Sequence, residues 1–165
     1  MTIIERLRQY KELDPHKIAL IVDDKKYTYG DLYDVILSID INDTSRIVNV
    51  AQTKESLKHI VALIQSQSFV EQLVQWLGVL YTGYIPMVCH NEMDTEYVEE
   101  LARIIAYKGV APLGDFGVFT SGTTGRPKPL WRSESSWREF FDIQNDIFHI
   151  NKDTKIFLHG SFSFT

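Results

Sequence analysis

Apolar residues recur at two spacings along this chain, every three to four positions in some stretches and in short unbroken runs in others. Residues 2–13 set Ile3, Ile4 and Leu7 on one face, with Thr2 and Glu5 spaced as a capping box, which predicts an amphipathic helix. "KIALIVDDKKYTYGDLYDVI" reads as strand, a tight turn at 23–25, strand, and a helix from about Asp31. "SRIVNVAQ" has strand composition, and "HIVALIQSQS" is a short apolar run bounded by turn formers, hence a buried strand. A helix is predicted next: Val70, Leu73, Val74, Leu77 and Leu80 form its stripe, Ser68 with Glu71 a second capping box, and Gly83 its C-terminal stop. "YIPMVC" follows as a strand in which Pro86 suggests an edge or a bulge.

Residues 94–109 then predict a helix capped by Asp94, "DFGVFT" a strand, 133–150 one helix, and "TKIFLHGSFSF" a last strand. From Ile60 onward strand and helix alternate. That pattern predicts an α/β fold, a mostly parallel sheet flanked by helices. No repeat or linker divides the chain, and the break at 91–93 is too short for a domain boundary, so residues 1–165 read as a single domain.

Composition narrows the class. A chain of 165 residues buries roughly 68–70% of the surface its unfolded form exposes, enough for a core without cross-links. The net charge of −5 argues against a nucleic-acid or membrane-surface binder, which needs a basic stripe. Cys89 is the single cysteine and reads as a small core residue in a reducing compartment. Glu5 and Arg6 interrupt what a signal peptide would keep apolar, and no run reaches about 18 apolar residues. The expected location is therefore cytoplasmic, with no membrane and no nucleic acid among the partners.

One stretch asks for chemistry. "VFTSGTTGRPKPLWR", residues 118–132, packs three threonines, a serine, two glycines, two prolines and Lys128 behind an apolar lead-in. A phosphate needs several donors around it and no bulk between backbone and ligand. Gly122 and Gly125 permit close approach, and Thr120, Ser121, Thr123 and Thr124 offer hydroxyl and backbone donors. Lys128 adds a point charge of the kind used on terminal phosphates. Expected between a strand and a helix, the loop would lie where open α/β sheets place ligands. It is not the G-x-x-x-x-G-K-[ST] loop, because the lysine follows Gly125 by three positions, and G-x-G-x-x-G is absent. On composition alone a plain surface loop of small polar residues stays open beside the phosphate reading.

"TSGTTGRPK" closely resembles the phosphate-loop signature of the acyl-adenylate-forming superfamily, which includes acyl-CoA synthetases, peptide-synthetase adenylation domains and firefly luciferase. "KYTYGDLYDVI" is similar to that family's early "TY-x-E-L" segment. "FVEQLVQWLGVLYTGYIPM" is similar to its helix–Gly–strand segment, and "FLHGSFSFT" falls where the strand before the acyl-binding motif stands. The resemblance runs in order from about Lys17 to Thr165. It implies that Thr120, Ser121, Gly122, Thr123, Thr124, Gly125 and Lys128 line the ATP pyrophosphate while a carboxylate attacks the α-phosphorus. Magnesium would accompany the nucleotide, and coenzyme A would take the acyl group in a ligase. The small-molecule carboxylic acid is expected to be a fatty acid, with amino-acid or aryl-acid activation as the alternative. A third alternative is a non-catalytic binding or interaction module with a relic loop.

Two departures qualify the likeness. The family usually has glycine after the loop lysine, and here Pro129 removes a donor and drives Lys128 toward extended geometry. The interval from Pro86 to Thr120 is also short. In the family, the adenine-contacting segment, the magnesium-assisting acid, the ribose-binding aspartate and a C-terminal lysine all come after this point. The resemblance therefore implies an incomplete N-terminal domain with its phosphate loop at 118–130, no catalytic residue in this chain, and negligible adenylation by it alone. Self-association through the terminal strand, or pairing with a missing C-terminal half, is expected.

Other residues read more blandly. The five histidines are scattered, and the acids at 92–100 fit a solvated helix face better than a metal site. Trp76, Tyr81, Phe140, Phe141 and Phe148 read as core. Trp131 and Trp137 flank the loop, and packing onto the sheet suits them better than lining a substrate tunnel.

Overall fold

The computed structural model of the chain describes residues 1–49, 60–66, 68–90, 93–108, 114–120 and 127–158. Helix α1 (Ile3–Leu13) starts on the expected capping box: Thr2 Oγ1 accepts from the Glu5 N–H at 3.1 Å, and the Thr2 N–H donates to Glu5 Oε2 at 2.6 Å. Strands β1 (Ile18–Val22) and β2 (Lys25–Thr28) form an antiparallel hairpin. Asp23 and Asp24 both take positive φ, the geometry that matches a two-residue turn to the twist of its strands.

Helix α2 (Tyr29–Ser38) begins two residues before the position expected from sequence. Thr28 caps it: its hydroxyl accepts from the Asp31 N–H at 3.0 Å, and the Asp31 carboxylate accepts from the Thr28 N–H at 2.8 Å. The sequence reading missed this reciprocal pair. The Thr28 N–H, more than any other cause, holds the Asp31 carboxyl below its ordinary range. A short α3 (Ile41–Thr44) is capped by Asp40, whose carboxylate accepts from the Asn42 N–H at 2.9 Å.

Five further strands make the main sheet: β3 (Ser45–Asn49), β4 (Ile60–Ile64), β5 (Ile85–Val88), β6 (Phe116–Thr120) and β7 (Lys128–Arg132), side by side in chain order. Helix α4 (Phe69–Tyr81) connects β4 to β5, and α5 (Thr95–Lys108) connects β5 to β6; both pairings are parallel. The outer pairings, β3–β4 and β6–β7, are antiparallel. The expected α/β architecture is thus a mixed sheet whose centre is parallel. The reason lies in connection length: a parallel return needs a dozen residues or more, and only seven separate Thr120 from Lys128.

Side chains alternate across the sheet into two cores. Ala62, Ile64, Val88, Phe116 and Val118 join Leu77, Val79 and Ile36 on the face covered by α1, α2 and α4. Val61, Leu63, Met87 and Phe119 join Val98, Leu101 and Ile105 of α5 on the other. A strand covered on both faces reads as an unbroken apolar run, which is why "IVALI" showed no alternation. Pro86 lies fully buried in a central strand, not at an edge. A proline is tolerated there only where a ladder bond is already missing, and the β5–β6 register is reduced to the pair Met87–Gly117.

The segment after β7 departs most from expectation. Residues 133–150 form two helices, α6 (Glu134–Arg138), capped by Ser133, and α7 (Phe141–Phe148), which has no side-chain cap. Phe140, Phe141 and Phe148 are exposed, and the chief neighbour of α7 among the described elements is α6; Tyr81, the last residue of α4, is exposed as well. Trp76 is core, as expected. Residues 154–158 carry no strand, and residues 159–165 of the expected one lie outside the described set.

Gly83 follows α4 with φ +81°, the conformation L side chains resist, while a Cβ there would meet nothing within 4 Å. Gly83→Ala therefore isolates backbone strain, and urea unfolding should show a stability loss of about 1–2 kcal/mol with an unchanged m-value.

Candidate functional site

The carboxyl ends of the three parallel-paired strands share one edge of the sheet, the place where open α/β sheets receive ligands. Thr120 closes β6 there. Across the antiparallel ladder it faces Lys128, the first residue of β7, so the two side chains project from the same face. Thr120 Oγ1 also donates to the Lys128 carbonyl at 3.5 Å, the long limit of a hydrogen bond. Lys128 is exposed and enters no ion pair among the described residues. Its extended backbone is what a following proline enforces.

Of the seven expected phosphate-site residues, Thr120 and Lys128 are therefore brought together at the mouth of the loop. Ser121, Gly122, Thr123, Thr124 and Gly125 lie outside the described residues. The loop joins two antiparallel strands; the expected passage from strand to helix is not what the fold provides.

Phe119, Gly117 with the residues packed around it, and Tyr97 hold this mouth in place. Phe119, fully buried, anchors β6 one residue before Thr120. Gly117 lets Met87 and Trp131 close over the strand: a Cβ there would collide with Met87 Cε and come within 2.9 Å of Trp131 Cζ3. Trp131 packs against the α5-side core, and Trp137 stacks edge-on against Phe116 with centroids 5.0 Å apart, so both flanking tryptophans pack as expected. The hydroxyl of Tyr97 of α5, a contact unseen in the sequence, donates to the Pro127 carbonyl. Thirty residues separate the two, and no local pattern links them.

The same edge holds Cys89, directly after β5, with its N–H donating to the Ile64 carbonyl at 2.9 Å. Burial pushes its thiol up to about 12, so it has no nucleophilic form near neutrality. Among the described residues no three His, Cys, Asp or Glu side chains gather where they could hold a metal ion. No described helix is long and apolar enough to cross a membrane.

A cleft of about 320 Å³ lies elsewhere, lined by Thr2, Arg8, Tyr81, Asp115 and Glu134. Asp115 and Ile85 place it at the opposite, amino edge of the sheet, a strand length of roughly 16 Å from Thr120. Its polar groups are spent on structure. The Ile3 N–H donates to Glu134 Oε2 at 2.8 Å, and the Glu134 N–H donates to Asp115 Oδ2 at 3.0 Å.

Known proteins share this helix-flanked mixed sheet and part of this sequence. The chain is 26% identical over 188 aligned residues to VraA of Staphylococcus aureus (strain COL), a protein named as a long chain fatty acid-CoA ligase. The match covers 98% of this chain and 38% of VraA. VraA of Staphylococcus epidermidis is 27% identical over 82% of this chain and 32% of its own length. No family model matches the chain. Among solved structures, the o-succinylbenzoate CoA synthetase MenE of Bacillus subtilis, in complex with AMP, superposes with a TM-score of 0.63. It shares 16% identity, with 92% of this chain and 47% of MenE covered. Over nearly its whole length the chain is similar in sequence to VraA, and it shares its fold with part of MenE. It spans less than half the length of each of these relatives.

The geometry at Cys89 generates a direct test. In the native protein a thiol reagent at pH 8 should fail to modify Cys89 on the timescale that labels it fully in 6 M guanidinium; equal rates would show the thiol accessible.

Proposed function

We propose that this chain is the phosphate-gripping N-terminal portion of an AMP-forming carboxylic acid–CoA ligase. The observation that carries the reading is the cross-strand pair Thr120–Lys128, which sets one hydroxyl and one exposed ammonium at the mouth of the "TSGTTG" loop. The ammonium would neutralise β- and γ-phosphate charge, and the hydroxyl and loop donors would orient the chain of phosphates. Ser121, Gly122, Thr123, Thr124 and Gly125 would complete the cradle.

In the complete reaction a carboxylate oxygen attacks the α-phosphorus of ATP. The bond to the β-phosphate oxygen breaks, pyrophosphate leaves, and an acyl-AMP forms. A thiolate of coenzyme A then displaces AMP to give the thioester. The contribution of this chain is positional and electrostatic, holding the leaving pyrophosphate in line. Magnesium would arrive on the phosphates. The acid is proposed to be a fatty acid, on the strength of the names its relatives carry across nearly all of this chain, and the reaction would run in the cytoplasm.

Titration calorimetry of ATP into the purified chain and into Lys128→Ala tests the reading. One charged hydrogen-bonding partner lost should weaken binding by about tenfold or more. Equal affinity of the two proteins, or no binding by either, would overturn it.

A further inference from the structure

Tyr97 lies in the first turn of α5, a helix fixed by its cap and by its buried face. Asp94 caps the helix, its carboxylate accepting from the Tyr97 N–H at 2.6 Å. Val98 and Leu101, each 1% exposed, bury the next turn in the core that also contains Phe119. Trp131 of β7 packs on the same core. The backbone that carries Tyr97 thus belongs to the helix whose core also takes Phe119 of β6 and Trp131 of β7.

From that fixed position the Tyr97 hydroxyl donates to the carbonyl of Pro127, the residue directly before Lys128. The anchor stands directly before the first cross-strand pair of β7, Thr120–Lys128, with Pro129 facing Phe119 next along the ladder. The chain entering β7 is therefore held at its first residues by the Thr120–Lys128 pairing and by the hydrogen bond from α5. Removing that bond leaves the chain before Lys128 without its tie to α5.

Resting on the phosphate reading of Lys128, we infer that Tyr97 is a positioning residue for it. Its hydroxyl fixes the Pro127–Lys128 backbone and so sets where the ammonium stands. Tyr97 itself need touch no ligand. A positioning role of this kind makes a claim that a general packing role does not: the hydroxyl should matter only while Lys128 is there to be positioned.

A double-mutant cycle reads this directly, with inorganic pyrophosphate as the titrant and calorimetry as the measurement. Tyr97→Phe keeps the ring and deletes the donor, and should weaken pyrophosphate binding about fivefold, the effect of one neutral hydrogen bond. In the Lys128→Ala background, titrated at protein concentrations that keep its weaker binding readable, the same change should have no effect. Tyr107→Ala, on the exposed end of the same helix, should bind as the wild type does. Equal weakening by Tyr97→Phe in both backgrounds would assign Tyr97 to packing and overturn the inference, as would full wild-type affinity of the single variant. If Lys128→Ala alone leaves pyrophosphate binding unchanged, or the wild type binds none, the phosphate reading fails first and takes this inference with it.

Discussion

Strand β6 sends side chains into both cores at once, and most of the architecture depends on that double anchorage. Phe116 and Val118 belong to the core under α1, α2 and α4, while Phe119 belongs to the core under α5. Phe116 is gripped edge-on from two sides, by Trp76 of α4 at 5.4 Å and by Trp137 of α6 at 5.0 Å. Shifting the strand by one residue would turn Phe119, fully buried, to the opposite face and draw Thr120 into the interior. The site of Thr120 at the carboxyl edge is therefore set by the burial of its neighbours. The loop begins where the core requires it to begin.

The two edges of the sheet divide labour accordingly. At the amino edge the polar groups satisfy one another: α1 is tied to α6 through the Ile3 N–H and Glu134, α6 to β6 through Asp115, and Arg138 reaches the Met1 carbonyl. Glu134 is buried, and its hydrogen bonds are what make that burial tolerable. At the carboxyl edge the exposed Lys128 has no ion-pair partner among the described residues, and Cys89, after β5 at the same edge, is withdrawn from chemistry by burial. Polar groups are thus satisfied within the fold at the amino edge, while the Lys128 ammonium at the carboxyl edge stays exposed.

Much of the scaffold was legible locally. Helices α1, α4 and α5 announce themselves by apolar stripes with Thr2, Ser68 and Asp94 at their starts, because helical period and caps are short-range properties. At Ser68 the sequence misled by half: its hydroxyl accepts from the Glu71 N–H, but the Glu71 carboxylate takes the Ser66 hydroxyl instead of closing the box. Thr28 and Asp31 were overlooked as a cap because the strand signal of "KYT" masks the helix start. Phe140, Phe141 and Phe148 read as core because their spacing is amphipathic, yet spacing says only that a face exists, not that anything described packs on it.

The sequence by itself determined the α/β class, the buried character of its central strands, the "TSGTTG" loop with its lysine, and the likeness to adenylate-forming enzymes. Those are properties of residue type and spacing, and they are written along the chain. Only the tertiary structure decided that β7 returns antiparallel to β6, that Pro86 sits in a central strand, that Thr120 faces Lys128, and that Tyr97 reaches across from α5 to hold Pro127. Each depends on which element lies beside which. That choice is made by burying whole faces together, and no window of neighbouring residues encodes it.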